Sequence, residues 1–393
     1  MFPIDVAHQP YTDPWQMPLG DRLTQLARGG RRVAYYYEET NTSTFRYRAY
    51  NMAQVLNAEP GGRYSASWFF RADLGHARQI AANADVLVVC RSGYEHRLHE
   101  LMNLFALQGK PVLFDVDDLV VDTRYAHLLV SALGQDKDSP QVWDHWFGLI
   151  ARFRATLDRC DGAITTNAFL AERIAECTGK PVAVVPNFMN REQLVVSQAL
   201  WGHKLRTGFA TTGRPTVGYF SGTPSHQLDF AIVQPALAQL MERRPELQLM
   251  LVGFIEPGPA LSRFENRIVR QPFVDWVNLQ RLIASVEVNL MPLQTSVFAD
   301  CKSALKYFEA AAVGTLSVAS PSVNHLDCIV DGDNGHLARG HEWARKLGGL
   351  LDAIGGGTTE PYRRMAERAR AQALERFAWT TQLPTLLRAL QWT

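Results

Sequence analysis

The sequence predicts an α/β protein: two Rossmann-like, doubly wound parallel-sheet domains facing each other across a cleft. Three observations predict it. Short apolar runs alternate with helix-length amphipathic segments, the order expected of parallel strands joined by crossover helices. The alternation runs its course twice, on either side of a polar stretch at 191–215. The length, 393 residues, accommodates two to three domains of ordinary size.

In the first half, strands are expected at 32–37, 64–70, 85–90, 111–115, 162–165 and 181–185. Each is a short run rich in Val, Ile and aromatic residues, as strands buried on both faces are. Helices are expected at 45–56, 94–107, 141–160 and 168–177, where the apolar period lengthens to that of a helix. The second half repeats the pattern, with strands at 216–220, 248–252, 267–270, 286–291 and 315–319. Its helices are expected at 229–243, 277–284, 303–313, 341–354 and 361–377, with the run Gly355 to Gly357 as a helix stop. The expected division is an N-terminal domain over 1–205, a C-terminal domain over 206–375, and a final segment, 376–393, packing back on the N-terminal domain. The ligand of such a pair belongs in the cleft, at the carboxyl ends of the strands.

Composition narrows the partners. Forty Lys and Arg against 39 Asp and Glu leave a net charge of +1, so no broad field attracts nucleic acid, and anion binding must be local. Five scattered cysteines without a C-x-x-C pair argue against a disulfide scaffold or a Cys-based zinc site and suit a reducing compartment. No signal-peptide pattern opens the chain, and no run reaches the roughly 18 to 20 apolar residues of a membrane span. A cytoplasmic location is expected, with peripheral contact at the inner membrane face as a further option.

Two segments could carry chemistry in the second half. In TVGYFSGTPSHQLDF (216–230) a strand runs into Ser221, Gly222, Thr223 and Pro224, with a helix beginning near Asp229. Small residues at such a junction let backbone amides approach a ligand, and a helix N-terminus adds positive charge: a phosphate cradle. The segment lacks both the P-loop and the G-x-G-x-x-G fingerprint, and it also reads as an ordinary strand-to-helix turn capped by Ser or Asp. In FADCKSALKYFEAAAVGTLSVAS (298–320), Lys302 and Lys306 stand four apart, on one face of the expected helix, with Ser303 as its cap and Glu309 one turn on. Lysine is scarce in this chain, so two at a helix start suggest a diphosphate clamp, and the carboxylate could hold a ribose diol. A solvated Lys/Glu face is the competing reading.

Taken together, GYFSGTPSHQLDF, LQLMLVG, EVNLMPLQTSVFADCKSALKYFEAAAVGTLSVAS and IVDGDNG resemble the group 1 glycosyltransferases, nucleotide-sugar enzymes of the GT-B architecture. FDVDDLVVD and ITTNAFLAERI…VAVVPNFMN resemble that group's N-terminal domain and linker entrance. The resemblance implies that Gly222 and Thr223 lie beside the donor phosphates, that Lys302 and Lys306 neutralise the departing diphosphate with Ser303 beside them, and that Glu309 bonds the ribose hydroxyls. It also implies retention of anomeric configuration. Two departures stand out. The first glutamate of the family's pair falls on Cys301, with Asp300 adjacent, and the Arg or Lys usual after the Gly-rich turn is absent, since HQLDF holds His226 and Asp229. The first departure leaves the stereochemical course open.

FDVDDLVVD (114–122) brings Asp115, Asp117 and Asp118 to a strand end, where three readings compete. A D-x-D metal site would suit the other, GT-A, architecture, which two Rossmann units oppose. A haloacid-dehalogenase-like phosphatase would use Asp115 as nucleophile and Asp117 as acid/base, with GAITTN and VDGDNG echoing later motifs, but Asp118-Leu119 replaces its Gly-Thr. The preferred reading places Asp117 and Asp118 on the acceptor side, orienting the acceptor hydroxyl or taking its proton. A strand-end Asp capping its own turn is as good an account of any one of them. His96 and His99 could reach the cleft, although a helical His is more often structural. Arg46 and Arg48 could meet an anionic acceptor but read better as a solvated face. Trp143 and Trp146 could stack on an acceptor but read better as core.

The expectation is a metal-independent glycosyltransferase moving a sugar from a nucleoside-diphosphate-sugar donor, its only co-substrate, to a hydroxyl of a glycan or lipid-linked glycan acceptor. Catalytic roles fall to Asp117, Asp118 and Lys306, with no other cofactor and no nucleic-acid partner. The alternative is a noncatalytic GT-B-like scaffold or partner subunit.

Overall fold

The computed structural model describes residues 1–40, 43–355 and 359–392. Each half of the chain folds around a six-stranded, all-parallel sheet with helices on both faces. The first sheet holds β1 (Arg31–Tyr36), β2 (Tyr64–Phe69), β3 (Val86–Cys90), β4 (Val112–Val116), β5 (Gly162–Thr165) and β6 (Val182–Val184), in the order β2-β1-β3-β4-β5-β6. The second holds β7 (Thr216–Ser221), β8 (Gln248–Gly253), β9 (Ile268–Gln271), β10 (Val288–Met291), β11 (Leu316–Ala319) and β12 (His336–Leu337), in the order β12-β11-β10-β7-β8-β9. Every strand expected from the sequence is present to within two residues at either end. Only β12, a two-residue edge strand too short to show a period, was not expected.

Strand order locates the cleft. Direction reverses between β1 and β3 in the first sheet and between β7 and β10 in the second, and crevices open at such switch points beyond the carboxyl ends of the strands. Both crevices face the domain interface. Residues after β3 and β4 form one wall, and residues after β7 and β10 form the other.

The helices depart further from expectation. The stretch expected at 45–56 runs from Ser43 to Asn57 and contains a π-helical turn, Arg46–Tyr50, of a kind common at functional sites. The helix expected at 229–243 is split into Gln227–Ala231 and Gln234–Arg243, Pro235 opening the second piece. The polar stretch at 191–215 is largely a helix, Arg191–Arg206, capped by the Asn190 side chain on the Gln193 N–H. It was missed because its apolar residues are spread around the helix rather than confined to one stripe. Helices Leu19–Leu26, Ala77–Asn83 and Ala126–Ala132 were also missed. Of the expected Gly355 to Gly357 stop, Gly356 and Gly357 lie outside the described residues.

The chain crosses between domains more often than a boundary at 205/206 allows. Helix Arg191–Arg206 packs on the second domain, where the Lys204 ammonium donates to the Gly314 carbonyl and Thr315 Oγ1. The N-terminal segment also lies on the second domain: the Phe2 N–H donates to the Ser285 carbonyl at 2.8 Å and Arg281 Nε to the Val6 carbonyl at 2.7 Å. After helix Glu360–Phe377 the chain returns through reciprocal bonds between Met189 and Phe377–Trp379, and helix Leu383–Ala389 packs against β6 and helix Asn51–Asn57.

Gly253, the last residue of β8, sets the spacing of the strand ends beneath the turn after β7. Its φ is +82°, and a Cβ there would lie 2.0 Å from the Ser221 carbonyl oxygen at the end of β7. Gly253→Ala should therefore part the carboxyl ends of β7 and β8 and destabilise the protein by about 2 kcal/mol or more. Urea denaturation with an unshifted midpoint would show that the two strand ends tolerate the methyl group.

Candidate functional site

The second-domain wall of the cleft is built by the turn after β7 and the loop after β10. Gly222 and Thr223 are exposed in that turn. A Cβ at Gly222 would meet nothing within 4 Å, so no protein neighbour demands the glycine. Ser221 Oγ donates to the Thr223 carbonyl at 2.7 Å, and the Thr223 and Ser225 hydroxyls lie 2.6 Å apart. The helix that follows is only five residues, Gln227–Ala231, so the turn offers backbone amides and little macrodipole. His226 Nδ1 lies 3.2 Å from Asp229, whose other oxygen accepts the Gln294 N–H at 3.0 Å. Burial first, then Lys306, push the His226 pKa down to about 4, leaving a neutral imidazole at pH 7.

Lys306 opens the helix Leu305–Ala312 and Lys302 stands in the turn before it, so the two are not on one continuous helix as expected. Their fields nevertheless overlap. The Lys306 ammonium sits 4.6 Å from the Tyr219 ring centroid, half-buried, and no hydrogen-bond acceptor or ion-pair partner reaches it among the described residues. Burial pushes its pKa down to about 8; Lys302 adds to that, and Asp229 opposes it. Lys302 lies 4.6 Å over the Phe298 ring, its Nζ 4.0 Å from Asp118 of the facing wall.

Ser303 is not the helix cap. Ala304 takes that position without a side-chain bond, and Ser303 Oγ accepts from Asn187 Nδ2 at 3.1 Å. Ala304 and Phe308 lie about two residues to either side of Lys306, on the other side of the helix axis, and with Ser303, Asn187, Asn324 and Thr385 they line a separate cavity of about 510 Å³ between the domains.

On the first-domain wall the three aspartates divide. Asp115 is buried in a two-bond ion pair with Arg48 at 2.7 and 2.9 Å, so it is structural. Arg48, expected on a solvated face, has 0% exposure because this pair and the Val185 carbonyl draw it inside. Asp117 accepts from Thr44 Oγ1 at 2.8 Å and from Arg91 Nη1 at 3.2 Å; Asp118 accepts from the same Arg91 nitrogen at 2.9 Å. Sequence reasoning missed Arg91, an arginine just past a strand end with no motif around it.

Glu309 is placed differently from expectation. It is 3% exposed, accepts from Tyr47 Oη at 2.6 Å and Gln193 Nε2 at 3.0 Å, and lies 3.6 Å from Arg46. The carboxylate is thus clasped by the π-turn of the other domain. Arg46, also expected on a solvated face, stacks over Tyr47 and Trp276 and leaves Nη1 buried without a partner. Cys301 has 0% exposure and packs with Phe298 into the apolar cluster of the N-terminal domain, where burial pushes its thiol up to about 12. Neighbouring Asp300 accepts the Val323 N–H, so neither side chain supplies the carboxylate that the resemblance leads one to expect here.

The remaining candidates fall outside the cleft. His96 is exposed beside Glu100 and His99 bonds Asn103; Trp143 and Trp146 are half-buried, Trp146 packing against the apolar cluster of the N-terminal domain. Two further exposed aromatics escaped notice: Phe254 (50%) and Phe273 (59%), past the ends of β8 and β9, with rings 5.7 Å apart. Among the described residues, no group of three or more His, Cys, Asp or Glu side chains could hold a metal ion. No described helix is long and apolar enough to cross a membrane.

Residues 214–353 match the family model described as glycosyl transferases group 1. No curated protein matches the sequence. Among solved structures the chain is similar to HepE of Anabaena in complex with UDP and glucose, at 15% identity and a TM-score of 0.59, over 91% of this chain and 99% of that one. It is similar to a glycosyltransferase from Rickettsia africae at 12% identity and a TM-score of 0.59, over 91% and 97%. The third is sucrose-phosphate synthase from Thermosynechococcus elongatus, at 13% and 0.54, again over 91% and 97%. At these identities the structures establish the two-domain GT-B fold. The match to the group 1 glycosyl transferases is to the second domain, residues 214–353.

Proposed function

We propose that the protein transfers a sugar from a nucleoside-diphosphate sugar to a hydroxyl of a glycan or glycolipid acceptor, without a metal ion. The observation that carries the reading is Lys306: a half-buried ammonium at the switch point between β7 and β10, with no anion to meet it among the described residues. A diphosphate supplies that anion. Lys302 adds a second charge, and the open turn at Gly222 and Thr223 leaves room for phosphate oxygens against backbone amides. HepE, of the same fold, is crystallised with UDP-glucose, which makes UDP-glucose the first donor to try.

In the transfer, the bond from the sugar C1 to the β-phosphate oxygen breaks, and the acceptor oxygen bonds C1 as its proton leaves. Negative charge grows on the departing diphosphate, where Lys306 and Lys302 strengthen their hold. Asp117 and Asp118 sit opposite, their carboxylates already held by Arg91, and direct the incoming hydroxyl or take its proton. Metal independence rests on those two cations standing where a divalent ion would otherwise neutralise phosphate. Tyr47, Gln193 and Arg46 all reach Glu309 through Oε1, so Oε2 is the oxygen left to meet the ribose.

Lys306→Ala should weaken uridine diphosphate binding about ten- to hundredfold, about 1.4–2.8 kcal/mol, and leave uridine affinity nearly unchanged. Equal losses for both ligands in calorimetry would remove Lys306 from the clamp. Because phosphate favours the charged lysine, binding takes up a proton above the free-protein pKa of about 8. Uridine diphosphate affinity should therefore fall as pH rises from 7 to 9.5, and Lys306→Ala should flatten that slope. Asp117→Asn should lower turnover at least tenfold with donor affinity kept within twofold. Loss of donor binding that magnesium restores would refute the metal-free reading. Donor binding without turnover on any acceptor would favour the scaffold.

A further inference from the structure

Arg91 follows the last residue of β3, at the switch point of the first sheet, with a φ of +35°. That is the left-handed region, which a residue with a Cβ occupies at a cost that surrounding contacts must offset. Its N–H donates to the Asp115 carbonyl at 2.7 Å, tying the turn to β4. A single guanidinium nitrogen, Nη1, reaches Asp117 at 3.2 Å, Asp118 at 2.9 Å and Thr44 Oγ1 at 3.5 Å. The strained backbone thus carries one cation to the point where the two acceptor-wall carboxylates converge.

Resting on the proposed transfer reaction, we infer that Arg91 is a positioning residue: it holds Asp117 and Asp118 in place and keeps Asp118 a fixed anion when the donor diphosphate claims Lys302.

The geometry behind this is asymmetric. Asp118 has two cationic neighbours, Arg91 on its own domain at 2.9 Å and Lys302 across the cleft at 4.0 Å. The groups facing it are Arg91 and Asp117 from its own wall, and Lys302, His226 and the Cys301 thiol from the other. Burial alone would raise the Asp118 pKa, but Lys302 and then Arg91 outweigh it and hold the carboxyl below its ordinary range. A diphosphate bound at Lys302 and Lys306 would cancel the lysine contribution and add negative charge nearby. Only Arg91 would then prevent Asp118 from taking up a proton or turning away from the acceptor.

The strain makes a clean test possible. Glycine adopts φ +35° freely, so Arg91→Gly keeps the turn while deleting the guanidinium. In the full-length protein, Arg91→Gly should stay folded, because relief of the strained φ offsets part of the lost ion pairs, and keep the UDP-glucose KM within twofold. Its kcat should fall at least tenfold, the acid limb of the pH–rate profile should move to higher pH, and Arg91→Lys should recover part of the loss. Independently of turnover, carbon-13 carboxylate NMR should show the Asp118 pKa higher in Arg91→Gly than in wild type, and higher again on saturation with uridine diphosphate. Wild-type kcat and an unmoved Asp118 titration in Arg91→Gly would overturn the inference, as would a lowered melting midpoint accompanied by loss of donor affinity. If wild type turns over no nucleotide sugar, the transfer reading fails, and the NMR titration still decides whether Arg91 governs Asp118.

Discussion

The buried pair between Arg48 and Asp115 is the contact on which the rest of the cleft is built. Both side chains are shut away from water, and burial works against the arginine's charge, but Asp115 outweighs it and keeps the guanidinium protonated. The same guanidinium bonds the Val185 carbonyl and Asn187 Oδ1, and Asn187 in turn bonds Ser303 of the other domain. One side chain therefore ties the π-turn to the ends of β4 and β6 and, through one more residue, to the donor loop. Replacing one member of such a pair would strand a buried charge, which is why the arrangement tolerates little change.

With that turn fixed, Arg46 and Tyr47 reach across to Glu309, and the two walls meet at a short distance. The cleft then has a definite charge order. Lys306 and Lys302 line one wall; Asp117 and Asp118, braced by Arg91, line the other. A net charge of +1 hides this division, because the opposite charges cancel in the sum and not in space. Cys301 belongs to the same logic. Where a cleft-facing carboxylate is expected from the family resemblance, this chain turns a small apolar side chain into the core of the facing domain, and the position serves domain contact.

The strands were legible because burial on both faces writes a continuous apolar run into the sequence, and Gly and Pro punctuate its ends. Lys302 and Lys306 were legible because lysine is rare in this chain and two stand at a helix start. Arg46 and Arg48 were misread for a common reason. A charged residue on a helix looks solvated unless its partner is known, and each partner lies more than 60 residues away. Helix Arg191–Arg206 escaped because it is packed on more than one side, which scatters its apolar residues around the axis.

By itself, then, the sequence determined two doubly wound domains, a cleft at the strand ends, and a loop after β10 carrying two lysines. Those follow from local periodicity and composition, which each short segment carries within itself. Tertiary structure alone decided that Asp115 is a scaffold while Asp117 and Asp118 face the cleft, that Glu309 is clasped from the other domain, and that Arg91 joins Asp117 to Asp118. These depend on which charges become neighbours after folding, and Coulomb energies are set by distance and burial, neither of which the order of residues displays.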